Sequence, residues 1–458
     1  MKELTLKQLA QWCGGKISKS HENLMVKGME HDSRKIEPGD LFVALTGERV
    51  DGHAYVEAAG EAGAVAALVM RPVEANVPQV VVEDTLRAYG DIARAYRQQS
   101  DVQVVAVTGS VGKTTTKEMI SCVLSETYTV AKTQGNHNNN LGLPMSIMEM
   151  PEQTEMAVLE LGMNHFGEMS YLTSIALPDL VVITNIGTMH IEHLGTREGI
   201  LRAKLEIMQG IREDGVAVFN GDEPLLWNLR EGKHRRVYFG IENTQCDLVA
   251  ENLRQMDEGV YFTAKGLGCE IPVYVPQEGR HTVYNALAAI AVGILCEVPE
   301  EEIRSQLAQF RNTGMRQRVF EENGYIIIED CYNAGPESME AALRVLKERN
   351  AKGKRIAVLG DMLELGSRSM AEHYRVGRLA AENADLLYTY GYHSARTIVG
   401  AVTGGMNPKK ATQFESHEQL AKSLAMTAKP GDVILFKGSR GMKMEQALKL
   451  FLEMVKKH

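Results

Sequence analysis

Residues 104–119 read VVAVTGSVGKTTTKEM, the most informative segment of the chain. A β-branched strand runs into a glycine-containing loop, and a helical pattern begins at Lys113. Glycines let backbone N–H groups converge on a polyphosphate, the start of a helix adds positive potential, and Thr114 offers a hydroxyl to Mg²⁺. A strict version of the motif has glycine where this chain has Val107, so the match is to the shorter T-G-x-x-G-K-T-T form.

This loop predicts a binding site for ATP or GTP. The residues expected to contact the phosphates are Gly109, Ser110, Val111, Gly112, Lys113, Thr114 and Thr115. Kinases, motor ATPases and ligases all use such a loop, so it does not choose among them. Polar residues elsewhere in the chain must decide.

Around this loop, short Val/Ile/Leu runs alternate with helical patterns from about residue 100 onward. The runs are residues 104–107, 180–184, 356–359 and 433–436, and the helical patterns are residues 113–124, 200–211, 338–348 and 418–428. This alternation is typical of a parallel sheet covered by helices. It predicts an α/β fold with a central P-loop parallel-sheet ATPase domain and a C-terminal Rossmann-like domain. A G-x-G-x-x-G motif is absent, so no dinucleotide cofactor is expected.

The chain of 458 residues is long enough for about two to four domains, and we expect three. A polar segment, YRQQSDVQ at 96–103, precedes the phosphate-loop strand and marks the first boundary. A basic, glycine-containing segment, RNTGMRQR at 311–318, marks the second. The predicted domains are residues 1–100, 101–314 and 315–458.

Composition excludes several classes of protein. The 50 basic and 59 acidic residues give a net charge of -9, and the basic residues are scattered, so no nucleic-acid partner is expected. Six cysteines without a C-x-x-C pair argue against structural zinc and disulfides. The N-terminus lacks the apolar core of a secretory signal, and no apolar stretch reaches the roughly 18 residues of a membrane span. We expect a cytoplasmic protein without a membrane span, and a monomer by default.

Polar residues follow two of the predicted strands. Glu160 ends the apolar strand in AVLELGM, where a buried carboxylate is costly unless it is paired or metal-bound; the alternative is a partly exposed strand-end glutamate. The strand in LVVITNIGTMHIEHLG is followed by Asn185, His190 and His193. From local sequence alone, the two histidines are either ligands or surface residues.

Lys204 lies in ILRAKLEIM, within a predicted helix. The spacing predicts that Leu201, Leu205 and Met208 face inward, which leaves Lys204 as a solvated helix lysine.

Taken together, the motifs resemble those of the Mur ligase family across nearly the whole chain. The segments that carry the resemblance are DSRKIEPGDLFVALTGERVDGHAY (32–55), the phosphate loop, GNHNNNLGLP (135–144), DCYNAGPESM (330–339), AVLGDMLELG (357–366) and FKGSRGMKME (436–445). Two positions depart from the family pattern: Thr282 stands where the family usually has Asn, and Gly335 where it often has Asn or Ser. His193 matches no family position and is taken as structural.

The resemblance implies an ATP-dependent, amide-forming ligase that produces ADP and phosphate. Its expected reaction adds D-alanyl-D-alanine to UDP-N-acetylmuramoyl-tripeptide (UDP-MurNAc-tripeptide) through an acyl phosphate and yields the pentapeptide precursor of peptidoglycan. The first domain would bind the UDP-sugar, the central domain ATP, and the third domain D-Ala-D-Ala while closing on ATP. An open form without nucleotide and a closed form with ATP are therefore expected.

The resemblance also implies roles for individual residues. The expected catalytic residues are Lys113, Glu160, His190 and Lys204. The metal ligands, for two Mg²⁺ ions, would be Thr114, Glu160, His190 and Lys204, the last as a carbamylated lysine. Beyond the phosphate loop, ATP would be bound by His281, Asn285, Arg316 and Asp330. The substrates would be bound by Ser33, Arg34, Asn136, Asn138, Asn139, Asn333, Asp361 and Ser439.

Three alternatives remain at this point. One is a sister Mur ligase that adds a different amino acid, another is a folylpolyglutamate synthase, and the third is a nucleotide-binding switch protein without amide chemistry. The asparagine-rich segment 135–144 and the segment 330–339 argue against the first two. Whether the third residue of the tripeptide is meso-diaminopimelate or L-lysine is left open by the sequence.

Overall fold

In a computed structural model of the chain, residues 1–47, 50–256, 259–312 and 314–456 are described. Thr313 of the predicted second joint, and Glu48 and Arg49 of the segment 32–55, lie outside these ranges. The described residues form three larger sheets of four, nine and six strands. The part of the chain around the four-stranded sheet is the first unit, the part around the nine-stranded sheet is the central unit, and the part around the six-stranded sheet is the C-terminal unit.

The first unit contains a small antiparallel pair, a four-stranded parallel sheet in the order β3-β4-β5-β6, and three helices. Its strands are β1 (Leu4–Thr5), β2 (Met25–Val26), β3 (Gly28–Glu30), β4 (Asp40–Val43), β5 (Ala66–Val69) and β6 (Gln79–Val81). Its helices are α1 (Leu6–Trp12), α2 (Val56–Ala62) and α3 (Thr85–Gln98). The Thr5 hydroxyl caps α1 and the Asp84 carboxylate caps α3, as expected for residues that satisfy free N–H groups.

The central unit is built on a nine-stranded sheet in the order β15-β14-β13-β12-β11-β10-β7-β9-β8. Its strands are β7 (Gln103–Thr108), β8 (Val130–Lys132), β9 (Met156–Glu160), β10 (Leu180–Ile183), β11 (Val216–Asn220), β12 (Arg235–Gly240), β13 (Leu248–Met256), β14 (Gly259–Gly266) and β15 (Cys269–Val275). The strands from β8 to β13 pair in parallel, and β14 and β15 extend the sheet in antiparallel fashion.

The helices of the central unit cover both faces of this sheet. They are α4 (Lys113–Leu124), α5 (Gly142–Met148), α6 (Glu168–Ala176), α7 (Ile191–Leu194), α8 (Arg197–Leu205), α9 (Pro224–Trp227), α10 (Arg280–Leu295) and α11 (Glu300–Gln309). The predicted helix at 113–124 is confirmed residue for residue. The pattern at 200–211 is instead split, since α8 begins at Arg197, ends at Leu205 and is followed by a 3-10 turn at Glu206–Gln209.

The C-terminal unit has a six-stranded sheet in the order β16-β17-β21-β18-β19-β20, parallel except for β16. Its strands are β16 (Arg318–Glu322), β17 (Tyr325–Asp330), β18 (Arg355–Gly360), β19 (Leu386–Tyr390), β20 (Ala411–Phe414) and β21 (Val433–Lys437). Its helices are α12 (Pro336–Glu348), α13 (Ser369–Asn383), α14 (Ser394–Thr403), α15 (His417–Thr427) and α16 (Met444–Val455). The predicted α/β class, with helices over parallel sheets, is confirmed.

The hydrophobic cores divide the chain differently from the sheets. One continuous core joins residues of the first unit, such as Leu68 and Ile92, to residues of the central unit, such as Leu159 and Ile183. The buried Arg97 side chain, at the end of α3, strengthens this junction by donating to the carbonyls of Ala176 at 3.0 Å and Leu177 at 3.1 Å. The two cores of the C-terminal unit contain only its own residues.

Strand ends place the polar residues of interest. In the central sheet, β7 ends at Thr108, β9 at Glu160 and β10 at Ile183, while in the C-terminal sheet β17 ends at Asp330 and β21 at Lys437. The carboxyl ends of parallel strands share one edge of their sheet, which is where α/β proteins bind ligands. Among the described residues, no helix has both the length and the apolar composition needed to cross a membrane.

Candidate active site

The phosphate loop connects β7 to α4 by a path that only glycine follows easily. Gly109 has φ 153° and Gly112 has φ 84°, and a Cβ at Gly112 would lie 2.9 Å from Asn285 Oδ1. Lys113 is the first residue of α4, and its Nζ donates to the Gly109 carbonyl at 2.8 Å. The cation and the helix N-terminus therefore lie on the concave side of one short loop. Burial lowers the pKa of Lys113, an effect opposed by the charge of Glu160.

Residues that follow β10 hold the loop in shape. Asn185 accepts from the Val111 N–H through Oδ1 at 2.9 Å and donates to the Val111 carbonyl through Nδ2 at 3.0 Å. The Ser110 hydroxyl accepts from the Gly187 N–H at 2.9 Å. The loop is therefore preorganised by the protein itself, so little rearrangement is needed when a polyphosphate binds.

Glu160 is a buried, fully hydrogen-bonded carboxylate at the end of β9. Its side chain accepts from Thr114 Oγ1 at 2.7 Å and from Asn138 Nδ2 at 2.8 Å, and the residue is 2% exposed. The alternative of a partly exposed strand-end glutamate is thus wrong. A carboxylate and a hydroxyl beside a phosphate loop are the hard oxygen donors that Mg²⁺ prefers, so these residues fit that ion. The described residues contain no cluster of three or more His, Cys, Asp and Glu suited to a metal.

His190 immediately precedes the short helix α7 and lines a cavity that lies between the central and C-terminal units. Its Nδ1 lies 2.8 Å from Glu364 Oε2 of the C-terminal unit, and the proximity of His190 lowers the pKa of the Glu364 carboxyl. His193 lies on the exposed side of α7, with its ring 4.4 Å from that of His165. The structure thus separates the two histidines, with His190 facing the cavity and His193 facing solvent.

Lys204 corrects the helix face predicted from spacing. Leu201, Leu205 and Met208 are only partly buried, whereas Lys204 is 2% exposed and lies on the buried face of α8. Burial lowers its pKa well below the ordinary lysine value, and the charge of Lys113 adds to that effect. The prediction of a solvated lysine is therefore wrong, because the spacing of leucines and methionine does not reveal which face of a helix packs.

The C-terminal unit contributes a second group of charged residues. Lys437 Nζ donates to Asp330 Oδ2 at 2.5 Å and to the Asn333 carbonyl at 3.0 Å, and Lys437 is itself buried. The Arg316 guanidinium lies 3.8 Å from the centre of the Tyr332 ring. Lys437 and Tyr332 line the cavity but were not predicted as site residues. Both lie in the family-like segments 330–339 and 436–445, so those segments carried the signal.

Helix α10 contributes two further residues of the central unit to the site, Asn285 and His281. Asn285 accepts from the Thr116 hydroxyl through Oδ1 at 3.0 Å, which fixes its amide beside the loop. The His281 ring is hydrogen-bonded to Gln317, a residue with φ 47° that leads into β16. Burial lowers the pKa of His281, so the imidazole is neutral at pH 7.

A cavity of about 570 Å³ lies between the central and C-terminal units and brings most predicted residues together. The predicted residues that line it are Ser110, Val111, Gly112, Lys113, Thr114, Thr115, Asn136, Asn138, Asn139, Glu160, His190, His281, Asn285, Arg316, Asp330 and Asn333. The predicted residues outside its lining are Gly109, Lys204, Ser33, Arg34, Asp361 and Ser439. Its size suits a nucleotide and a peptide carboxylate together.

The residues outside the lining serve other contacts. Arg34 forms a bidentate pair with Asp32 on the surface of the first unit, and Ser33 lies between them in the chain. The buried Asp361 carboxylate accepts from the His393 N–H at 2.8 Å. The Ser439 hydroxyl donates to the Ala334 carbonyl at 3.1 Å and accepts from the Leu363 N–H at 2.9 Å. Asp361 and Ser439 thus shape the loops of the C-terminal unit beneath the cavity residues.

Comparisons with known proteins agree with this geometry. Three family models match consecutive parts of the chain: the Mur ligase family catalytic domain at residues 25–97, the Mur ligase middle domain at 107–293, and the Mur ligase glutamate ligase domain at 315–440. Together they include the first sheet, the phosphate loop and the sheet of the C-terminal unit.

Individual relatives match over their full length. The UDP-N-acetylmuramoyl-tripeptide–D-alanyl-D-alanine ligase of Bacillus subtilis is 41% identical over 98% of each chain, and that of Escherichia coli is 34% identical over 99% of each. The crystal structure of MurF from Acinetobacter baumannii superposes with a TM-score of 0.92 at 35% identity, covering 99% of each chain.

A second solved structure is that of MurF ligase from Thermotoga maritima in complex with ADP. It matches with a TM-score of 0.84 at 30% identity and covers 94% of this chain and 98% of that one. The family models and the full-length relatives show that this chain belongs to the Mur ligase family.

Proposed function

We propose that this chain is an ATP-dependent ligase that joins D-alanyl-D-alanine to UDP-MurNAc-tripeptide and forms the UDP-MurNAc-pentapeptide precursor of peptidoglycan. The observation that carries this proposal is the cavity in which the phosphate loop of one unit faces Asp330, Asn333 and Lys437 of another. Full-length relatives that bear this activity support it. A switch protein needs the loop but not the paired residues across the cavity.

The reaction proceeds in two steps. In the first step, the terminal carboxylate of the tripeptide attacks the γ-phosphorus of ATP, and the bond from that phosphorus to the β–γ bridging oxygen breaks. The products of this step are an acyl phosphate and ADP. The amine of D-Ala-D-Ala then attacks the acyl carbon, loses a proton and expels phosphate. Both steps crowd negative oxygens together, so positioned cations and N–H groups provide most of the stabilisation. Lys113 and the N-terminus of α4 supply it on the phosphate side.

Thr114 and Glu160 would hold Mg²⁺, and His190 and Lys204 would serve a second ion. Bound Mg²⁺ neutralises charge on the phosphoryl oxygens. Asn138 Nδ2 donates a hydrogen bond to the Glu160 carboxylate, and the Glu160 N–H donates one to the Thr133 hydroxyl. The first contact orients the carboxylate and the second fixes the backbone at the end of β9, so this donor is already in place beside the phosphate loop.

Carbamylation of Lys204 is supported by its surroundings. The side chain is buried, its pKa is well below the ordinary value, and none of the described carboxylates pairs with it. In its uncharged form, which a lowered pKa favours, the amine can attack CO₂, forming the C–N bond and releasing one proton. The anion so formed would relieve the repulsion between Lys204 and Lys113. A nucleotide- and metal-bound crystal structure with an unmodified ammonium at this position would overturn the assignment.

The nucleotide would extend from the phosphate loop towards α10 and the C-terminal unit. Asn285 would approach the adenine, Arg316 the γ-phosphate and Asp330 the ribose, with His281 beside them. Because Arg316 and Asp330 lie at or beyond the joint near residue 314, nucleotide binding should draw the units together. Compaction in small-angle scattering on addition of an ATP analogue and both substrates is expected, and unchanged dimensions would contradict this closure.

The substrates would meet at the opposite end of the cavity. Asn136, Asn138 and Asn139 would contact the tripeptide, Ser33 and Arg34 the uridine nucleotide, and Asn333 the dipeptide. Asp361 and Ser439 would contribute by shaping the dipeptide region. The division at residues 100 and 314, a cytoplasmic location and a monomeric state complete the proposal, and sedimentation equilibrium tests the last.

The experiment that tests the function measures phosphate release from ATP and Mg²⁺ with UDP-MurNAc-tripeptide, with and without D-Ala-D-Ala. Release that requires both, with the pentapeptide mass as product, is the expected result. Release with a different amino acid instead of the dipeptide would indicate a sister ligase, and release indifferent to either substrate would overturn ligase activity. Parallel reactions with meso-diaminopimelate and L-lysine tripeptides identify the third residue.

A further inference from the structure

Lys117 is a buried lysine that the proposed reaction leaves unused. It lies on α4 four residues after Lys113, which places both side chains on one face of the helix. The residue is 1% exposed, its Nζ donates to the Thr133 carbonyl at 2.6 Å, and Nζ lies 2.8 Å from Glu118 Oε1. A buried charge is costly unless it is paired and hydrogen-bonded, and this ammonium meets both conditions. It therefore forms a defined link between α4 and the chain at Thr133.

Thr133 is fixed through each of its hydrogen-bonding groups. Its N–H donates to the Val158 carbonyl at 3.1 Å, and its hydroxyl accepts from the Glu160 N–H at 2.9 Å. Its carbonyl accepts from Lys117, and the residue is completely buried. The first two contacts tie Thr133 to the neighbouring strand β9, whereas the third ties it to the helix that begins at the phosphate loop.

Thr133 directly follows β8, which is the edge strand of the central sheet among the described residues. This strand has three residues, all of them half-buried, and it pairs with β9 on one side. An edge strand lacks ladder partners on its outer side, so a short one holds little of the chain that follows it. The asparagine-rich segment 135–144 begins two residues after Thr133. Its placement therefore depends on the anchor at Thr133, and through that anchor on Lys117.

The asparagine-rich segment carries groups that face the cavity. Asn138 Nδ2 donates to the Glu160 carboxylate at 2.8 Å, and the Asn138 carbonyl accepts from the Gly162 N–H at 2.8 Å. The fit is close, since a Cβ at Gly162 would lie 3.0 Å from the Asn138 side chain. Asn136 and Asn139 line the cavity as well. A shift of this segment would therefore displace several polar groups of the site at once.

We propose that Lys117 is a positioning residue whose ammonium holds the asparagine-rich segment against α4 and so places the tripeptide-binding side of the cavity. The phosphate loop does not depend on this contact, because Asn185 and Gly187 hold it from the other side. The inference rests on the proposed function, which assigns the tripeptide to this segment. Lys132 is the matched comparison: its Nζ donates to the same carboxylate, Glu118, at 2.5 Å, but among the described contacts it does not reach the carbonyl that Lys117 holds.

Hydrogen–deuterium exchange of the full-length protein without substrates tests the positioning itself. In Lys117→Met, the amides of residues 135–141 should exchange about 10-fold faster than in the wild type, because the anchor of the segment is lost. Amides of the phosphate loop and of α4 should keep their wild-type rates. Lys132→Met should match the wild type throughout. Unchanged exchange in residues 135–141 would overturn the proposal, and so would an equal acceleration in α4, since that would show a general loss of stability.

Two further substitutions at the same position complete this test. Lys117→Arg keeps a cation that can donate to the Thr133 carbonyl and should restore most of the slow exchange. Lys117→Gln keeps a polar group on a side chain that is one bond shorter, so it should lose the 2.6 Å contact and exchange as Lys117→Met does. If Lys117→Met does not fold, Lys117→Gln takes its place, and wild-type exchange in that variant would contradict the proposal.

Binding measurements connect the position of the segment to the substrate. Calorimetric titration with AMP-PNP and Mg²⁺, followed by UDP-MurNAc-tripeptide, gives one Kd for each ligand. Lys117→Met should raise the Kd for the tripeptide about 10-fold and that for AMP-PNP by less than about twofold, and Lys132→Met should change neither. An unchanged Kd for the tripeptide, or equal weakening of both ligands, would overturn the proposal. A wild type that does not bind the tripeptide would refute the proposed function instead, while the exchange rates would still decide whether Lys117 holds the segment.

Discussion

The cavity has one wall formed by the phosphate loop and its neighbours in the central unit, and another formed by the C-terminal unit. The two walls differ in the sequence separation between the residues that pair within them. On the phosphate side, Lys113 bonds to a carbonyl four residues away, and Thr114 pairs with a glutamate 46 residues away, all within the central unit. On the other wall, Lys437 pairs with Asp330 across 107 residues, and both belong to the C-terminal unit. The phosphate wall therefore keeps its shape without docking, whereas the second wall reaches the nucleotide only when the units meet.

The largest expected effect tests the phosphate wall. Replacing Glu160 with Gln keeps the shape of the side chain but removes the charge that faces Thr114, so kcat should fall by about 10³-fold, or about 4 kcal/mol of barrier. Phosphate release at saturating substrates measures this. Glu152→Gln, at an exposed position outside the cavity, should retain wild-type kcat. A kcat for Glu160→Gln within a few-fold of the wild-type value would contradict a role for Glu160 in the reaction.

The second prediction tests the opposite wall. Lys437→Met leaves the Asp330 carboxylate without its cation, and breaking such a buried pair should lower the free energy of unfolding of the C-terminal unit by about 3 kcal/mol. Urea denaturation followed by a probe in that unit measures the change. Lys449→Met removes a lysine whose side chain is 79% exposed and should leave stability unchanged. Equal stability of the two variants would contradict a stabilising role for the buried pair.

A third prediction concerns His281, which joins the walls through Gln317. Its pKa lies below the ordinary value because of burial, so the unfolded chain binds more protons than the native one below about pH 6.5. Stability should therefore decrease as pH falls through this window, by at most about 1.4 kcal/mol per pH unit for this group. His281→Gln should show a shallower decrease between pH 7 and 5 in urea titrations, and parallel profiles would contradict it.

The smallest expected effect lies outside both walls. Arg34 pairs with Asp32 on the surface, where its side chain is 86% exposed, so Arg34→Ala should change the free energy of unfolding by less than about 1 kcal/mol. If Arg34 binds the uridine nucleotide, KM for UDP-MurNAc-tripeptide should rise while kcat is kept. Lys35→Ala, the neighbouring substitution, is the control. An unchanged KM would remove Arg34 from the proposed binding site.

The difference between the walls also explains what could be predicted from sequence. The strand–loop–helix arrangement around the phosphate loop was predicted correctly because the strand, the glycines, the lysine and the helix follow one another within 16 residues, 104–119. Glu160 was located because a carboxylate at the end of an apolar strand needs a partner, and Thr114 and Asn138 are those partners.

The C-terminal wall was reached only through resemblance to a family. Nothing local in DCYNAGPESM or FKGSRGMKME shows that Asp330 and Lys437 meet, since their contact depends on β17 and β21 being neighbours in the sheet. The argument from spacing put Lys204 on the solvent face for a related reason: its burial depends on which face of α8 packs, and apolar spacing did not reveal that face. The contact between His190 and Glu364 joins two units and has no local signature.

Arg97 and the core it supports have a mechanical consequence. Because this arginine donates to two carbonyls at the end of α6, and one apolar core continues across the same junction, we expect the first and central units to move as one body. The three larger sheets among the described residues therefore belong to two separately packed bodies, one made of the first and central units and the other of the C-terminal unit. A displacement of the four-stranded sheet should therefore carry the phosphate loop with it, whereas the C-terminal unit has hydrophobic cores of its own.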